Sequence, residues 1–263
     1  MRVRVGPHDV YAYTGSRQPQ AAAPNLLFIH GAANDHSVFA LQSRYFAYHN
    51  CNIYALDLPG HGQSDGDALT SVEALADWLI AVLDALNIAK ASLVGHSLGS
   101  LIALETTARN SQRIDKVALL ATAVPMTVSA ELLAAAAAND HVAFEMINSW
   151  SFSLPRQLGG NRWPGVWMTG NAMRLMERMR PNVLHADLIA CSSYTNGLKA
   201  AAAIRCPTLV LLGGRDVMAP VKAAREVAKT LSDARVVTLA GCGHAMMSEE
   251  PDAVLDALRQ FLG

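Results

Sequence analysis

Two hydrophobic rhythms alternate along this chain. Unbroken apolar runs recur at NLLFIH (25–30), NIYALDL (52–58), ASLVGH (91–96), KVALLAT (116–122), PTLVLLG (207–213) and RVVTLAG (235–241). A strand with one wet face alternates apolar with polar residues. Runs without a polar face are expected of strands covered on both sides, as in a parallel sheet carrying helices on each face. Ahead of them, RVRV (2–5) and VYAYT (10–14) read as a leading pair of hairpin strands.

Between the runs the period lengthens to that of a helix. SVEALADWLIAVLDALN (71–87) sets Leu75, Leu79, Val82, Leu83 and Leu86 on one stripe, with Ser71 placed to cap it. VKAAREVAKTL (221–231) follows Pro220, and PDAVLDALRQFL (251–262) opens on Pro251, proline being well suited to a first helical turn. This alternation predicts a right-handed βαβ-wound sheet.

One interval breaks the rhythm. Residues 125–205 carry no strand pattern but hold Trp150, Trp163, Trp167 and six of the ten methionines. The expectation is an α/β core formed by 1–124 and 206–263, with 125–205 inserted as a helical lid over the C-terminal ends of the strands. Within it, NAMRLMERMRP places Met173, Met176 and Met179 near one helical face, ended by Pro181. LGGNRWPGVWMTG is rich enough in glycine to move. Methionine and tryptophan suit an adaptable apolar pocket, although such stripes commonly pack one element onto another. Arg174, Arg178 and Arg180 are expected in solvent, with a substrate carboxylate as the alternative partner.

Composition narrows the functional classes. With 263 residues, 51% hydrophobic and 16% charged, the chain can bury one large core. A formal net charge of -1 leaves no basic face for nucleic acid or an anionic membrane. Apolar runs fall far short of a bilayer span. The N-terminal MRVRVGPHDVYAYTG has no apolar segment of the secretory kind, and the four cysteines show no C-x-x-C pairing. A cytoplasmic protein with reduced thiols is therefore expected. Oligomeric state is left open.

The chemistry rests on a repeated motif. G-x-S-x-G occurs at 62–66, around Ser64, and at 95–99, around Ser97. Ser64 follows Pro59 in the loop LPGHGQSDGDALT, with no helix end behind it, and reads as a turn serine. Ser97 stands where a buried strand runs straight into a helix. That strand–turn–helix context is what a nucleophile elbow demands, and the helix N-terminus favours developing negative charge.

A serine hydroxyl attacks only if a base takes its proton. Of nine histidines, His244 in GCGHAMMSEEP lies just past the last strand run, in a loop made supple by glycine. His96 adjoins Ser97 and points elsewhere; His30 more naturally pins a loop, and His61 sits beside Ser64. Asp216, in LVLLGGRDVMAP at the end of the penultimate run, is the acid that would orient His244. Helix capping is the plain alternative for Asp216, and Asp57 reads as a loop-capping residue. Oxyanion donors would be the backbone N–H of Leu98 and one from HGAAND, Ala32 being preferred over Ala33.

The segments HGAA, DLPGHGQSD, GHSLG, GGRDVMAP and GHAMMSEEP, in the order Ser97, Asp216, His244, resemble the α/β-hydrolase superfamily, in particular its lidded esterase-like members. The likeness spans residues 30–251. It implies an eight-stranded, mostly parallel sheet with its second strand antiparallel, a structural role for Ser64, and a serine mechanism without cofactor or metal. A serine rather than an aspartate at 97 separates the chain from the epoxide hydrolase and haloalkane dehalogenase branches. The expected activity is hydrolysis of small to medium, apolar carboxylic esters through an acyl-enzyme. Thioester, lactone or C–C bond hydrolysis, cyanohydrin cleavage, or a slow-turnover ligand receptor would use the same residues.

Overall fold

The computed structural model describes residues 1–160 and 165–263, so Trp163 and the centre of the glycine-rich stretch lie outside the described residues. Eight strands form one sheet: β1 Arg2–Val5, β2 His8–Tyr13, β3 Asn25–Ile29, β4 Asn52–Leu56, β5 Ala91–His96, β6 Ile114–Leu120, β7 Thr208–Gly213 and β8 Ala234–Leu239. Their spatial order is β1-β2-β4-β3-β5-β6-β7-β8. Only β2 runs antiparallel to its neighbours; every other pair is parallel. The chain leaves β3 to build outward through β4, then returns to lay β5 on the other side of β3. The loops leaving β3 and β5 therefore diverge over a crevice at the strand C-termini, where open α/β sheets place their working groups.

The central strands are buried along nearly their whole length, as their unbroken apolar runs require. β8 departs from that expectation. As an edge strand paired to β7 alone, it leaves Arg235, Val236 and Thr238 exposed, so its apolar run has one neighbour and half-covered faces.

Helix Val72–Ala85 is capped by the Ser71 hydroxyl, which accepts from the Ala74 N–H at 3.2 Å. It buries Leu75, Leu79, Val82 and Leu83, while Leu86 is only half-buried at the C-cap. The helix after β5, Leu98–Arg109, is buried from Leu98 to Thr107 and forms the axis of the core. Val221–Thr230 and Pro251–Leu262 complete the covering layers.

Between β6 and β7 the described residues form helices only: Ala130–Ala137, Val142–Ser151, Leu154–Gln157, Met168–Met176, Val183–Ser193 and Gly197–Ala203. They carry a second hydrophobic cluster containing Leu132, Ile147, Met176, Leu184 and Leu188. Each such buried Leu, Ile or Met contributes about 1.5–3 kcal/mol. Met173 and Met179 pack against that cluster. The methionine-bearing helix ends at Met176, five residues short of Pro181, and Asn182 beyond the proline turns left-handed at φ 67°. Trp150 and Trp167 are exposed rather than turned inward. Among the described residues, no helix is long and apolar enough to cross a membrane.

Two glycines let the core close. A Cβ on Gly95 would lie 2.1 Å from the Gly99 carbonyl oxygen, and one on Gly99 would lie 2.1 Å from that of Ile29. Helix Leu98–Arg109 thus sits directly against the ends of β3 and β5. Gly95→Ala is expected to destabilise the fold by about 2–3 kcal/mol or more, because backbone rather than a flexible side chain must yield; urea denaturation would measure the loss.

Candidate active site

Ser97 occupies the kink between β5 and its helix at φ 53°, ψ -120°, a conformation costly for a residue with a Cβ. The kink is held by the Ser97 N–H donating to Leu120 O at 2.9 Å. Gly31, at the start of the loop after β3, approaches so closely that a Cβ there would lie 2.9 Å from the Ser97 Cβ. The side chain is buried at the floor of a cavity of about 800 Å³. Its hydroxyl hydrogen bond, among the described residues, is a long one to Met126 Sδ at 4.0 Å.

His244 lines the same cavity. Its Nδ1 lies 2.8 Å from Asp216 Oδ2. A carboxylate accepts, so Nδ1 carries a proton and donates it to this bond, leaving Nε2 as the ring's other nitrogen. The other oxygen, Asp216 Oδ1, accepts from the Met218 and Ala219 N–H groups, each at 2.8 Å, which fixes the carboxylate's plane. Structure therefore joins His244 to Asp216, and sets Ser97 and His244 on one cavity without a hydrogen bond between them among the described residues.

The loop bearing His244 is held by three groups. His96 Nε2 donates to the His244 carbonyl at 2.9 Å. The Ala245 N–H donates to Ser151 O at 2.8 Å. Glu249, almost fully buried, accepts from the Gly243 N–H at 3.1 Å, the Ser153 N–H at 2.9 Å and the Ser153 hydroxyl at 2.6 Å. Two of these anchors, Ser151 and Ser153, come from the helical segment between β6 and β7.

Two backbone N–H groups near Ser97, those of Leu98 and Ala32, have no partner among the described residues. Ala33, the alternative donor, is already engaged: its N–H donates to Asp187 Oδ2 at 3.2 Å. His30 performs the pinning expected of it. Its Nε2 accepts from the Leu58 N–H at 3.1 Å, so Nδ1 bears the proton and donates to Gly31 O at 2.8 Å.

Ser64 is turned away from chemistry. Its hydroxyl donates to Asp57 O at 2.7 Å and accepts from the Tyr11 N–H at 2.9 Å, tying the loop after β4 to β2. Asp57 caps loops as read, accepting from the backbone N–H and Nδ1 of His36 at 2.8 and 2.7 Å and from the Gln63 N–H at 2.8 Å. With Asp35 these residues make the one candidate cation set among the described residues. Their ligand atoms already serve internal hydrogen bonds, so the set braces loops.

Arg180 differs from the solvated side chain expected: it donates to Gly60 O at 2.9 Å and Ser64 O at 2.5 Å, clamping the helical segment to the loop after β4. Arg174 and Arg178 are exposed at the cavity mouth, paired with Glu177 and Asp35 respectively. Sequence reasoning passed over Asp187, Glu249 and the buried role of His61. Asp187 alone left a trace, a single acid in the otherwise uncharged, largely apolar helix VLHADLIACSS.

The buried histidines respond to acid. Burial, reinforced by the neighbouring His244, lowers His96 to about 3. Burial, reinforced by His61, lowers His30 to about 4. When unfolded, both take up a proton near pH 6.5, so the unfolded chain binds more protons and stability falls as pH drops below that value. His61 works oppositely: burial disfavours its charge, but Asp187 outweighs burial and raises it, so its contribution is lost as pH rises. His96→Asn is expected to remove about 1.4 kcal/mol per pH unit from the slope of stability between pH 6 and 4. Urea unfolding across that range would measure it; an unchanged slope would contradict the assignment.

Comparison with known proteins agrees with this architecture. The model of the "Alpha/beta hydrolase family" matches residues 26–257. A pimeloyl-[acyl-carrier protein] methyl ester esterase of Chromobacterium violaceum is 30% identical over 88% of this chain and 91% of its own length. Esterase YbfF of Escherichia coli is 29% identical over 80% and 82%. Among solved structures, the enol-lactonase of Burkholderia xenovorans LB400 superposes with a TM-score of 0.86 at 23% identity, covering 100% of this chain and 99% of that one. The sheet order, the kink at Ser97 and the match over nearly the whole chain lead to one conclusion: the chain belongs to the alpha/beta hydrolase family.

Proposed function

We propose that this hydrolase cleaves small to medium carboxylic esters, with Ser97 as nucleophile, His244 as general base and acid, Asp216 as its orienting carboxylate, and the Ala32 and Leu98 N–H groups as oxyanion donors. One observation carries the reading: the buried His244–Asp216 pair opens onto the same cavity as a serine held in strained geometry beside two unpartnered amides.

The chemistry needs no cofactor. The Ser97 hydroxyl turns from Met126 toward His244, and Nε2 takes its proton as Oγ bonds to the ester carbon. Negative charge forms on the carbonyl oxygen, where the two N–H groups receive it. The imidazolium then protonates the departing alcohol oxygen, leaving an acyl-Ser97 ester. Water repeats the cycle, giving its proton to His244 and its oxygen to the acid product. Asp216 stabilises the imidazolium in both halves. The same groups would serve a lactone, a thioester or a C–C bond, or bind a ligand with slow turnover; a substrate panel separates these.

Residues 125–205 are read as a lid. Ile147, Phe152, Met168 and Leu175 from this segment, with Val38 and Leu41 from the core, give the cavity apolar walls. That lining supports an apolar acyl or alkyl group.

Ser97→Ala is expected to lower kcat by about 10⁴-fold or more on p-nitrophenyl esters. Phenylmethylsulfonyl fluoride should add its sulfonyl group to the peptide containing Ser97, read by mass spectrometry. Retained esterase activity in the Ser97→Ala protein would end the proposal. In an acyl series on the wild-type protein, kcat/KM should rise about fourfold per added methylene, the equivalent of ~0.8 kcal/mol per buried CH2, until the cavity is filled.

A further inference from the structure

We propose that Asp187 is a positioning residue: from helix Val183–Ser193 it holds the loop after β3 in the shape that presents the Ala32 N–H, so this oxyanion donor exists only while the helical segment is docked. The inference rests on the hydrolase reading above.

The loop is fixed peptide by peptide. The carbonyl of the Gly31–Ala32 peptide accepts from His30 Nδ1 at 2.8 Å, leaving the N–H of that same peptide, on Ala32, without a protein partner among the described residues. In the next peptide the Ala32 carbonyl accepts from Asn34 Nδ2 at 2.9 Å, and the Ala33 N–H donates to Asp187 at 3.2 Å. Three of these four polar ends are thus held, and the fourth belongs to a residue that lines the cavity together with Ser97. Asp187 is the one holder that comes from the helical segment.

Ala33 itself belongs to that segment's core. Its side chain is buried in the second hydrophobic cluster, whose other buried members all lie between Leu132 and Leu188. Its φ of 63° lies in the left-handed region, which an alanine keeps only when surroundings hold it there. Release of Asp187 and of the cluster would return Ala33 to commoner geometry, and the preceding peptide would turn with it.

Asp187 is in turn held in place. His61 Nε2 lies 2.9 Å from Asp187 Oδ2, and His61 Nδ1 donates to Pro59 O at 3.0 Å. Arg180, donating to Gly60 O and Ser64 O, ties the same loop to the helical segment. The loop after β4 therefore acts as the seat on which the segment docks and from which Asp187 reaches the loop after β3.

The test compares wild type with Asp187→Ala and Asp187→Asn. Hydrogen–deuterium exchange over residues 30–39 reads the loop directly and requires no turnover. Kinetics on a p-nitrophenyl ester, with inhibition by a trifluoromethyl ketone, read the oxyanion site. In Asp187→Ala, exchange over 30–39 should accelerate and kcat should fall about 10–100-fold, somewhat less than outright loss of an oxyanion donor. KM should move less than about threefold, and ketone affinity should weaken by about the same factor as kcat/KM. Asp187→Asn, which keeps an acceptor for Ala33, should fall between. A loop whose exchange is unchanged in Asp187→Ala, or one that exchanges faster while kcat and ketone affinity hold, overturns the inference. Should the alanine variant not fold, Asp187→Asn and His61→Asn carry the same comparison. A wild-type protein without Ser97-dependent turnover overturns the hydrolase reading itself, and is recognised before any Asp187 variant is compared.

Discussion

Close backbone approach around residue 97 is the constraint on which the rest of this molecule depends. Gly95 lies against the Gly99 carbonyl, Gly99 against the end of β3, and Gly31 against the Ser97 Cβ, each at a distance that would exclude a side chain. The loop after β3 and the helix after β5 can then share one small volume. Ser97 consequently adopts a φ of 53°, which costs about 1–3 kcal/mol for a residue of its kind. A core that is fully buried from Leu98 to Thr107 offsets that cost. Among the described residues the Leu98 and Ala32 N–H groups beside Ser97 have no partner, and an unsatisfied buried N–H is itself expensive. Strain and unmet hydrogen bonding thus meet at residue 97, and under the proposed mechanism a developing negative charge would relieve the second of them.

His244 illustrates how buried carboxylates divide the labour of positioning. Asp216 takes the ring, with its second oxygen held by two backbone amides. Glu249 takes the backbone, bonding the residue before His244 to Ser153 of the helical segment. His96 holds the carbonyl. Because burial keeps His96 neutral, it can donate this bond without adding positive charge beside His244. Under the proposed mechanism that neutrality matters, since a second imidazolium would oppose the one formed on His244.

Much of this was legible in the sequence because it is local. Unbroken apolar runs set β3 to β7 in the buried layers where they are observed, RVRV and VYAYT mark the leading hairpin, and a strand meeting a helix at GHSLG separated Ser97 from Ser64 without coordinates. What escaped is non-local. β8 reads like β7 in composition, yet its place at the sheet edge exposes Arg235 and Val236. Arg180 reads as a surface cation until the loop after β4 brings two carbonyl oxygens to it. Glu249 sits in an ordinary polar run, and only the fold places Ser153, 96 residues earlier, beside it. The preference for Ala32 over Ala33 rests on the turn at Gly31, and nothing local in the sequence shows that the distant Asp187 occupies the Ala33 N–H.

The helical segment between β6 and β7 touches both halves of the site. Through Ser151 and Ser153 it braces the loop of His244, and through Asp187 and the cluster around Ala33 it braces the loop after β3. It also supplies much of the cavity wall, including Ile147, Phe152, Met168 and Leu175. Under the proposed mechanism one element thus contributes to the apolar surface that would meet a substrate and to the frame around Ser97 and His244. Substitutions in its core, at Leu132 or Leu184 for example, would be felt at residue 33 through packing, although neither side chain lines the cavity. In a segment built this way, a change that reshapes the cavity also loads the frame, because both are secured by the same cluster. Trp150 and Leu158 are exposed and belong neither to that cluster nor to the cavity lining, so a change there loads neither the wall nor the frame directly.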